Sequence, residues 1–487
     1  MFRFIAVLTL VTRASAVLAQ EPVDRDMIVR IRAEGLERSR ALAMFDHLTS
    51  AIGPRLTASP AFREAAGWAR DRLAEWGLAN ARLEPFSFGR GWTLEGLTIE
   101  MRAPRYFPLT GHPEAWTPST RGVIDGTPVY IGDRTAEQVW AIRDQLRGAI
   151  VLAQPPQTAF IQADRPQPAD TGERVRIGAP PGIRSTGPVP MADLMPLLQQ
   201  AGAAVVLRPN MGQHGTIFVL GNRNTEDGTV PQIVMMPEHY NMLVRMLQSG
   251  VGPRLRVGIE AQYHEQDRNG YNVLAEIQGT DPQLEDEVVM IGAHLDSWHS
   301  SPGATDNADG VAGVMEAVRI LQALEVRPRR TIRIALWGGE EQGLLGSRAW
   351  AEQNLGGDAN AAARERFSLY LNDDPGTGPV YGFYAEENAA AMGIFDAWIA
   401  PLADLGVRKN VIDRIGSTDH LSFTRQGVPG FTAIKDYVDY DVRTHHTNVD
   451  FFERVNEEDL KQSAIVLATF LYHAAMRPGR FPRPPAS

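Results

Sequence analysis

The chain has 487 residues, 44% of them hydrophobic, and carries 58 acidic against 48 basic side chains for a formal net charge of −10. That length supports a large buried core spread over about two to three domains, and the acidic balance argues against a nucleic-acid partner. The complete lack of cysteine excludes disulfides, thiolate metal ligands and a cysteine nucleophile together, so any metal must sit on His, Asp and Glu.

Residues 1–19 read as an export leader: Arg3 near the start, an apolar run from Phe4 to Val11, then small residues that allow cleavage after Ala16 or Ala19. Arg13 is an unusual member of that pattern, and a buried N-terminal helix is the competing reading. Cleavage removes Arg3 and Arg13 and no acid, which deepens the negative charge and sends the mature protein to the periplasm or the medium. No later stretch reaches about 18 uninterrupted apolar residues, so no membrane span is expected.

From 20 to 117, "ERSRALAMFDHLTSAIGPRL" and "FREAAGWARDRLAEWGL" repeat apolar positions at three and four, the period of amphipathic helices. "FSFGRGWTLEGLTIEMRAP" then alternates like a strand. Between 118 and 265 the texture becomes β-rich: "GTPVYIG", "GAIVLA", "AGAAVVLRP" and "VPQIVMMP" are short strands, separated by helical pieces such as "MADLMPLLQQ" and "EHYNMLVRMLQSG". Within it, Pro155 to Pro190 is Pro-rich and aperiodic, either a lid over a cleft or a flexible connector. This stretch is expected to be an insert that supplies no metal ligand, because His214, His239 and His264 have no partner at ligand spacing.

From 266 to 475 the pattern is α/β. "EVVMIGAHLD", "TIRIALWGGEE", "FSLYLND" and "PGFTAI" are near-continuous apolar runs alternating with helices, and in "GVAGVMEAVRILQALE" Val311, Val314, Met315, Val318 and Leu321 share one face. Strands of this kind are buried on both sides, so the expected fold is α/β, a mostly parallel mixed sheet flanked by helices, with functional residues beyond the carboxyl ends of the strands. A Pro-rich tail, 476–487, closes the chain.

Those strand ends hold the chemistry. His294 and Asp296 follow "VVMIGA", Glu340 and Glu341 follow "IRIALW", and Asp374 follows "SLYLN". Asp306 precedes the Val311 helix in "GATDNADG", and His446 follows the "GFTAI" strand. Imidazole and carboxylate suit Zn²⁺, and two ions about 3.5 to 4 Å apart need a shared bridging carboxylate plus two terminal ligands each, a requirement for five residues that this set meets. Taken singly, each residue has a commoner use: His294 as a structural histidine, Asp306 and Asp374 as turn formers, the Glu340–Glu341 pair as a solvated turn. Convergence on the strand ends of one sheet favours a metal centre.

In this order, "AHLDS", "GATDNADGVAGVMEA", "GEEQGLLGS", "NDDPGTG", "STDHLSF" and "HHTNVD" resemble the M28 family of co-catalytic zinc exopeptidases. "DPGTG" is similar to the carboxypeptidase Q branch rather than to the commoner "NxDM" pattern, and the middle stretch resembles the protease-associated (PA) insert of many members. The resemblance implies the zinc exopeptidase fold and two Zn²⁺ per chain, with Asp306 bridging, His294 and Asp374 on one ion, and Glu341 and His446 on the other. It makes Glu340 the general base and Asp296 the group that orients His294. Asp373 competes with Asp374, and His445 with His446; Asp-Pro-Gly-Thr and the spacing from His446 to Asp450 favour the later residue of each pair. His420 receives no metal role. Tyr437 and Tyr440 are candidates for supporting an oxyanion, against the plainer reading of packed surface tyrosines. The implied activity is hydrolysis of dipeptides or short peptides, and a homodimer is compatible with it. The alternatives are a catalytically inactive M28-like binding module and a one-zinc aminoacyl cyclase on the same fold.

Overall fold

The computed structural model describes residues 21–168 and 187–483, so the expected leader, part of the Pro-rich loop and the end of the Pro-rich tail lie outside the described residues. The apolar runs assemble into a seven-stranded sheet in the order Ala79–Ser87, Asn269–Ile277, Thr331–Trp337, Val288–His294, Phe367–Asn372, Gly430–Ile434, Gly382–Tyr384. The four strands from Thr331–Trp337 to Gly430–Ile434 are mutually parallel, with Val288 paired to Thr331 and Tyr370 to Gly430. Each flanking strand pairs antiparallel with its inner neighbour. Parallel strands need helical crossovers, and these cover both faces of the sheet.

On one face lie the helices Arg25–Glu37, Pro60–Glu75, Asp309–Ala323 and Glu457–Met476. Ser59 caps the second of these by accepting from Phe62 N at 3.2 Å, with Pro60 at its first turn. The opposite face is aromatic: Trp337, Trp350, Tyr370 and Phe423 pack there, and Tyr370 stacks on Phe423 at 4.1 Å. Helix Asp309–Ala323 is buried well beyond the apolar face read from sequence, because Glu457–Met476 packs beside it on the sheet and Arg25–Glu37 packs against both helices. Its polar residues are therefore paired inside: Arg319 contacts Glu316 at 2.8 Å and Glu34 at 2.9 Å. Buried charges are tolerated when paired and hydrogen-bonded in this way.

The run "FSFGRGWTLEGLTIEMRAP", expected to be one strand, is shared between two sheets. Phe86 and Ser87 end the main-sheet edge strand, Gly89 turns the chain at φ 129°, and Gly91–Ala103 pairs with Arg254–His264 in a four-stranded sheet. Residues 91–264 are thus inserted between two main-sheet strands that are neighbours in space. They also form a five-stranded sheet, Gly111–Pro113, Gln232–Met235, Val205–Pro209, Ile150–Leu152, Val129–Tyr130, in which all but the first strand are parallel. Helices Met191–Ala201 and Pro237–Gln248 cross over it, so this stretch is more α/β in character than its short strands indicate. Among the described residues no helix is long and apolar enough to cross a membrane.

Candidate metal centre

His294 is the last residue of its strand; Glu340 and Glu341 follow the neighbouring strand, and Asp374 follows the strand on the other side. The carboxyl ends of three adjacent parallel strands therefore face one crevice. Asp306 enters it from the turn before helix Asp309–Ala323, through a cis Asp306–Asn307 peptide. Asp450 holds that turn by accepting from Thr305 N at 2.9 Å and Asp306 N at 3.2 Å.

The five residues converge in two groups. His294 Nε2 lies 3.2 Å from Asp306 Oδ1 and 3.5 Å from Asp374 Oδ1. His446 Nε2 lies 3.3 Å from Asp306 Oδ2 and 2.9 Å from Glu341 Oε2. Asp306 thus turns one oxygen toward each imidazole. Asp306 Oδ2 and Glu341 Oε1 are buried and accept no hydrogen bond, which is costly for carboxylate oxygens unless a cation meets them. Imidazole nitrogen and carboxylate oxygen are the donor set that Zn²⁺ accepts.

The electrostatics fit the same picture. Burial, reinforced by Asp374 and Glu341, pushes the Glu340 carboxyl well above its ordinary range, and burial with Asp306 pushes Glu341 up to about 7. Against the effect of burial, His294 and His446 hold Asp306 well below the usual carboxylate range. Against burial again, Asp374 and Glu340 raise His294, and Glu341 raises His446. Glu340 keeps partial exposure to the crevice.

Asp296 sits beneath this group. Its backbone carbonyl accepts from His294 Nδ1 at 3.0 Å, whereas its carboxylate Oδ1 is 3.7 Å from that nitrogen. The carboxylate instead accepts from Glu340 N at 3.2 Å, Glu341 N at 3.4 Å and the Thr57 hydroxyl at 2.9 Å.

The competing residues part company here. Asp373 points away from the crevice to Lys435 Nζ at 3.3 Å, while Asp374 faces His294. His445 stays near the centre, with a ring nitrogen close to both Asp306 and His446, but its ring is stacked on Tyr440 at 5.0 Å and burial lowers its pKa to about 3. Tyr437 and Tyr440 are buried rather than surface residues, packed against the Arg165 guanidinium at 4.9 and 5.4 Å. His420 contacts Glu386 at 3.3 Å and the Thr432 hydroxyl at 2.9 Å. His214, His239 and His264 belong to none of the potential metal-holding groups among the described residues.

Other contributors carry no sequence signal of their own. Arg55, fully buried, donates to the carbonyls of Leu295 at 2.8 Å and Pro302 at 2.6 Å, bracing the chain between His294 and Asp306. Phe218 of the inserted segment packs on His446 at 5.6 Å, and Trp298 meets the same ring at 6.1 Å. Val219 N donates to His446 O at 3.1 Å, so the insert holds the His446 loop directly. A cavity of about 780 Å³ lies within the insert, lined in part by Phe218, Asn210, Met211 and Leu220.

Comparison with known proteins finds relatives in sequence and in fold. Residues 272–471 match the sequence model of Peptidase family M28. Carboxypeptidase Q of Mus musculus is 26% identical over 466 residues, covering 94% of this chain and 90% of its own. Among solved structures, a peptidase M28 precursor from Shewanella amazonensis superposes with a TM-score of 0.71 at 23% identity, over 95% of this chain and 99% of that one. BSAP, a zinc aminopeptidase from Bacillus subtilis, superposes with a TM-score of 0.61 at 18% identity, over 90% and 94%.

Proposed function

Since the chain belongs to peptidase family M28 and is a metallopeptidase, we propose that it is a di-zinc exopeptidase acting on dipeptides or short peptides, with Glu340 as its general base. The observation that carries this reading is the division of the Asp306 carboxylate, one oxygen toward His294 and Asp374 and the other toward Glu341 and His446. These five side chains would hold the two ions. Zinc, when bound, supplies Lewis acidity toward a water molecule and a peptide carbonyl.

The chain's own residues do the rest. Glu340, at the crevice and raised in pKa by burial, accepts a proton from the attacking water and returns it to the departing amine. Asp296 and Thr57 fix the backbone from which Glu340 and Glu341 project. Phe218 and Trp298 wall the crevice beside His446 and limit water around the reacting carbonyl. We read the PA insert, expected at 118–265, as part of the inserted segment that begins at residue 91 in the fold, and residues 1–19 as a leader removed on export to the periplasm or medium.

Two isosteric variants test the roles of the adjacent glutamates. Glu340→Gln loses proton acceptance and is expected to slow turnover by roughly 10²- to 10⁴-fold with both ions retained. Glu341→Gln loses a ligand and is expected to release about one zinc, with activity partly restored by excess Zn²⁺. Metal content and dipeptide hydrolysis measured together decide: metal lost from Glu340→Gln but kept in Glu341→Gln reverses the assignment, and an inactive binding module gives no hydrolysis in the parent protein. A peptide panel with free, acetylated and amidated termini identifies which end is recognised, since blocking that end stops cleavage.

A further inference from the structure

We propose that Lys435 is a positioning residue for the metal centre, its buried ammonium tying together the three segments that carry Asp306, Asp374 and His446. The inference rests on the di-zinc reading. Lys435 Nζ lies 2.8 Å from Asp309 Oδ2 and 3.3 Å from Asp373 Oδ1, and all three side chains are 3% exposed or less. Asp309 opens the helix three residues after Asp306; Asp373 is the chain neighbour of Asp374; and Lys435 begins the loop that leads from strand Gly430–Ile434 to His446. One cation therefore joins the flank of the shared carboxylate, the flank of a terminal ligand and the root of the His446 loop.

Shorter bonds brace the same cluster. Asn307 Nδ2 donates to the Asp373 carbonyl at 2.9 Å, and Asn307 Oδ1 accepts from Gly310 N at 3.2 Å. On the loop side, Thr377 N donates to the Asp436 carbonyl at 2.7 Å, fastening the residue after Lys435 to the turn after Asp374. Without the ammonium, Asp309 and Asp373 would be two carboxylates facing each other in a dry interior, and they would push their segments apart.

Charge and geometry make opposite demands at this position, which makes the role testable. On charge alone, a cation behind Asp374 weakens the attraction of the centre for a dication, so removing it should tighten zinc binding. On geometry, it fixes the ligand spacing before the metal arrives, so removing it should loosen zinc binding.

The test compares Lys435→Met with the double variant Lys435→Met/Asp309→Asn, which removes one charge of each sign and keeps the local net charge. Zinc affinity is measured by competition with a chromophoric chelator, beside thermal unfolding of the zinc-free proteins and the visible spectrum of cobalt-loaded samples. The double variant is expected to lose about 10- to 100-fold in zinc affinity and to change the cobalt spectrum while the zinc-free protein remains folded at the assay temperature. Unchanged affinity in the double variant, or raised affinity in Lys435→Met, overturns the proposal. If Lys435→Met does not fold, the double variant decides, because it leaves one buried carboxylate without its cation rather than two. A parent protein that binds no zinc sinks the metal reading itself and this inference with it; a parent that binds zinc beside an unaltered double variant sinks this inference alone.

Discussion

Asp296 accepts from the backbone N–H groups of both Glu340 and Glu341, and its carboxylate is farther from His294 than its own carbonyl is. An amide at this position offers one acceptor oxygen where the carboxylate offers two, so Asp296→Asn should loosen the Glu340–Glu341 turn while the carbonyl still orients His294. The expected outcome is turnover lowered by about 10- to 100-fold with zinc retained. Steady-state kinetics and metal analysis check it, and loss of zinc with normal specific activity per ion would contradict it. His299 belongs to the same scale. Its Nε2 donates to the Pro113 carbonyl at 2.7 Å, and burial lowers its pKa to about 4. The fold keeps this imidazole neutral, so the unfolded chain takes up a proton first as pH falls below about 6.5, and the folded state loses stability from there down to about pH 4. At the lower end His299 costs about 3 kcal/mol by that shift. The difference between the parent and His299→Gln isolates this contribution: the variant keeps a donor and cannot titrate, so in thermal unfolding of the zinc-free proteins it should gain stability relative to the parent between pH 7 and pH 5. Sequence separated neither Asp373 from Asp374 nor His445 from His446 by chemistry, since each pair has the same residue type; what separates them is Lys435 behind Asp373 and Tyr440 under His445.

Helix Asp309–Ala323 starts so close to the turn after strand Phe367–Asn372 that its second residue, Gly310, admits no side chain. A Cβ on Gly310 would stand 2.7 Å from the Asp373 carbonyl oxygen and closer still to Asn307 Oδ1. Gly310→Ala should therefore push Asn307 and Asp373 out of place, cost about 1 to 3 kcal/mol, and weaken zinc binding through the Asp374 side; denaturant unfolding and zinc titration measure the two effects. This helix was legible as a helix because its apolar positions repeat at the right period. Its burial on every side from Asp309 to Leu321 was not legible, because that depends on Arg25–Glu37 and Glu457–Met476, which are remote in sequence. The parallel strands were legible for a similar reason: residues buried on both faces leave continuous apolar runs. The division of "FSFGRGWTLEGLTIEMRAP" between two sheets was hidden, since alternation continues across the turn and only pairing partners near residues 254–277 separate its halves.

The described chain begins under restraint. Glu21 is bound to Arg477 at 2.8 and 3.1 Å, and Asp24 accepts from the Tyr472 hydroxyl at 2.8 Å, so residues 21–24 are fastened to helix Glu457–Met476 and its end. A leader cut after Ala19 would leave this fastening intact, and N-terminal sequencing of exported protein is expected to read from Gln20; material that still begins at Met1 would oppose it. The seating of residues 91–264 bears on how the molecule assembles. Strands Ala79–Ser87 and Asn269–Ile277 must pair across nearly two hundred intervening residues, a closure that costs entropy and slows folding when the connection is loose. Gly91 and His264, however, lie opposite each other at the base of the antiparallel pair Gly91–Ala103 and Arg254–His264, and Phe88 N donates to Arg268 O at 3.1 Å. Once the inserted segment has folded and that pair has formed, the edge of the main sheet meets its partner across only a few residues. The insert then works as a clasp for the main sheet: synthesis runs from the N-terminus, so residues 91–264 emerge before Asn269–Ile277, which meets Ala79–Ser87 across a connection already closed.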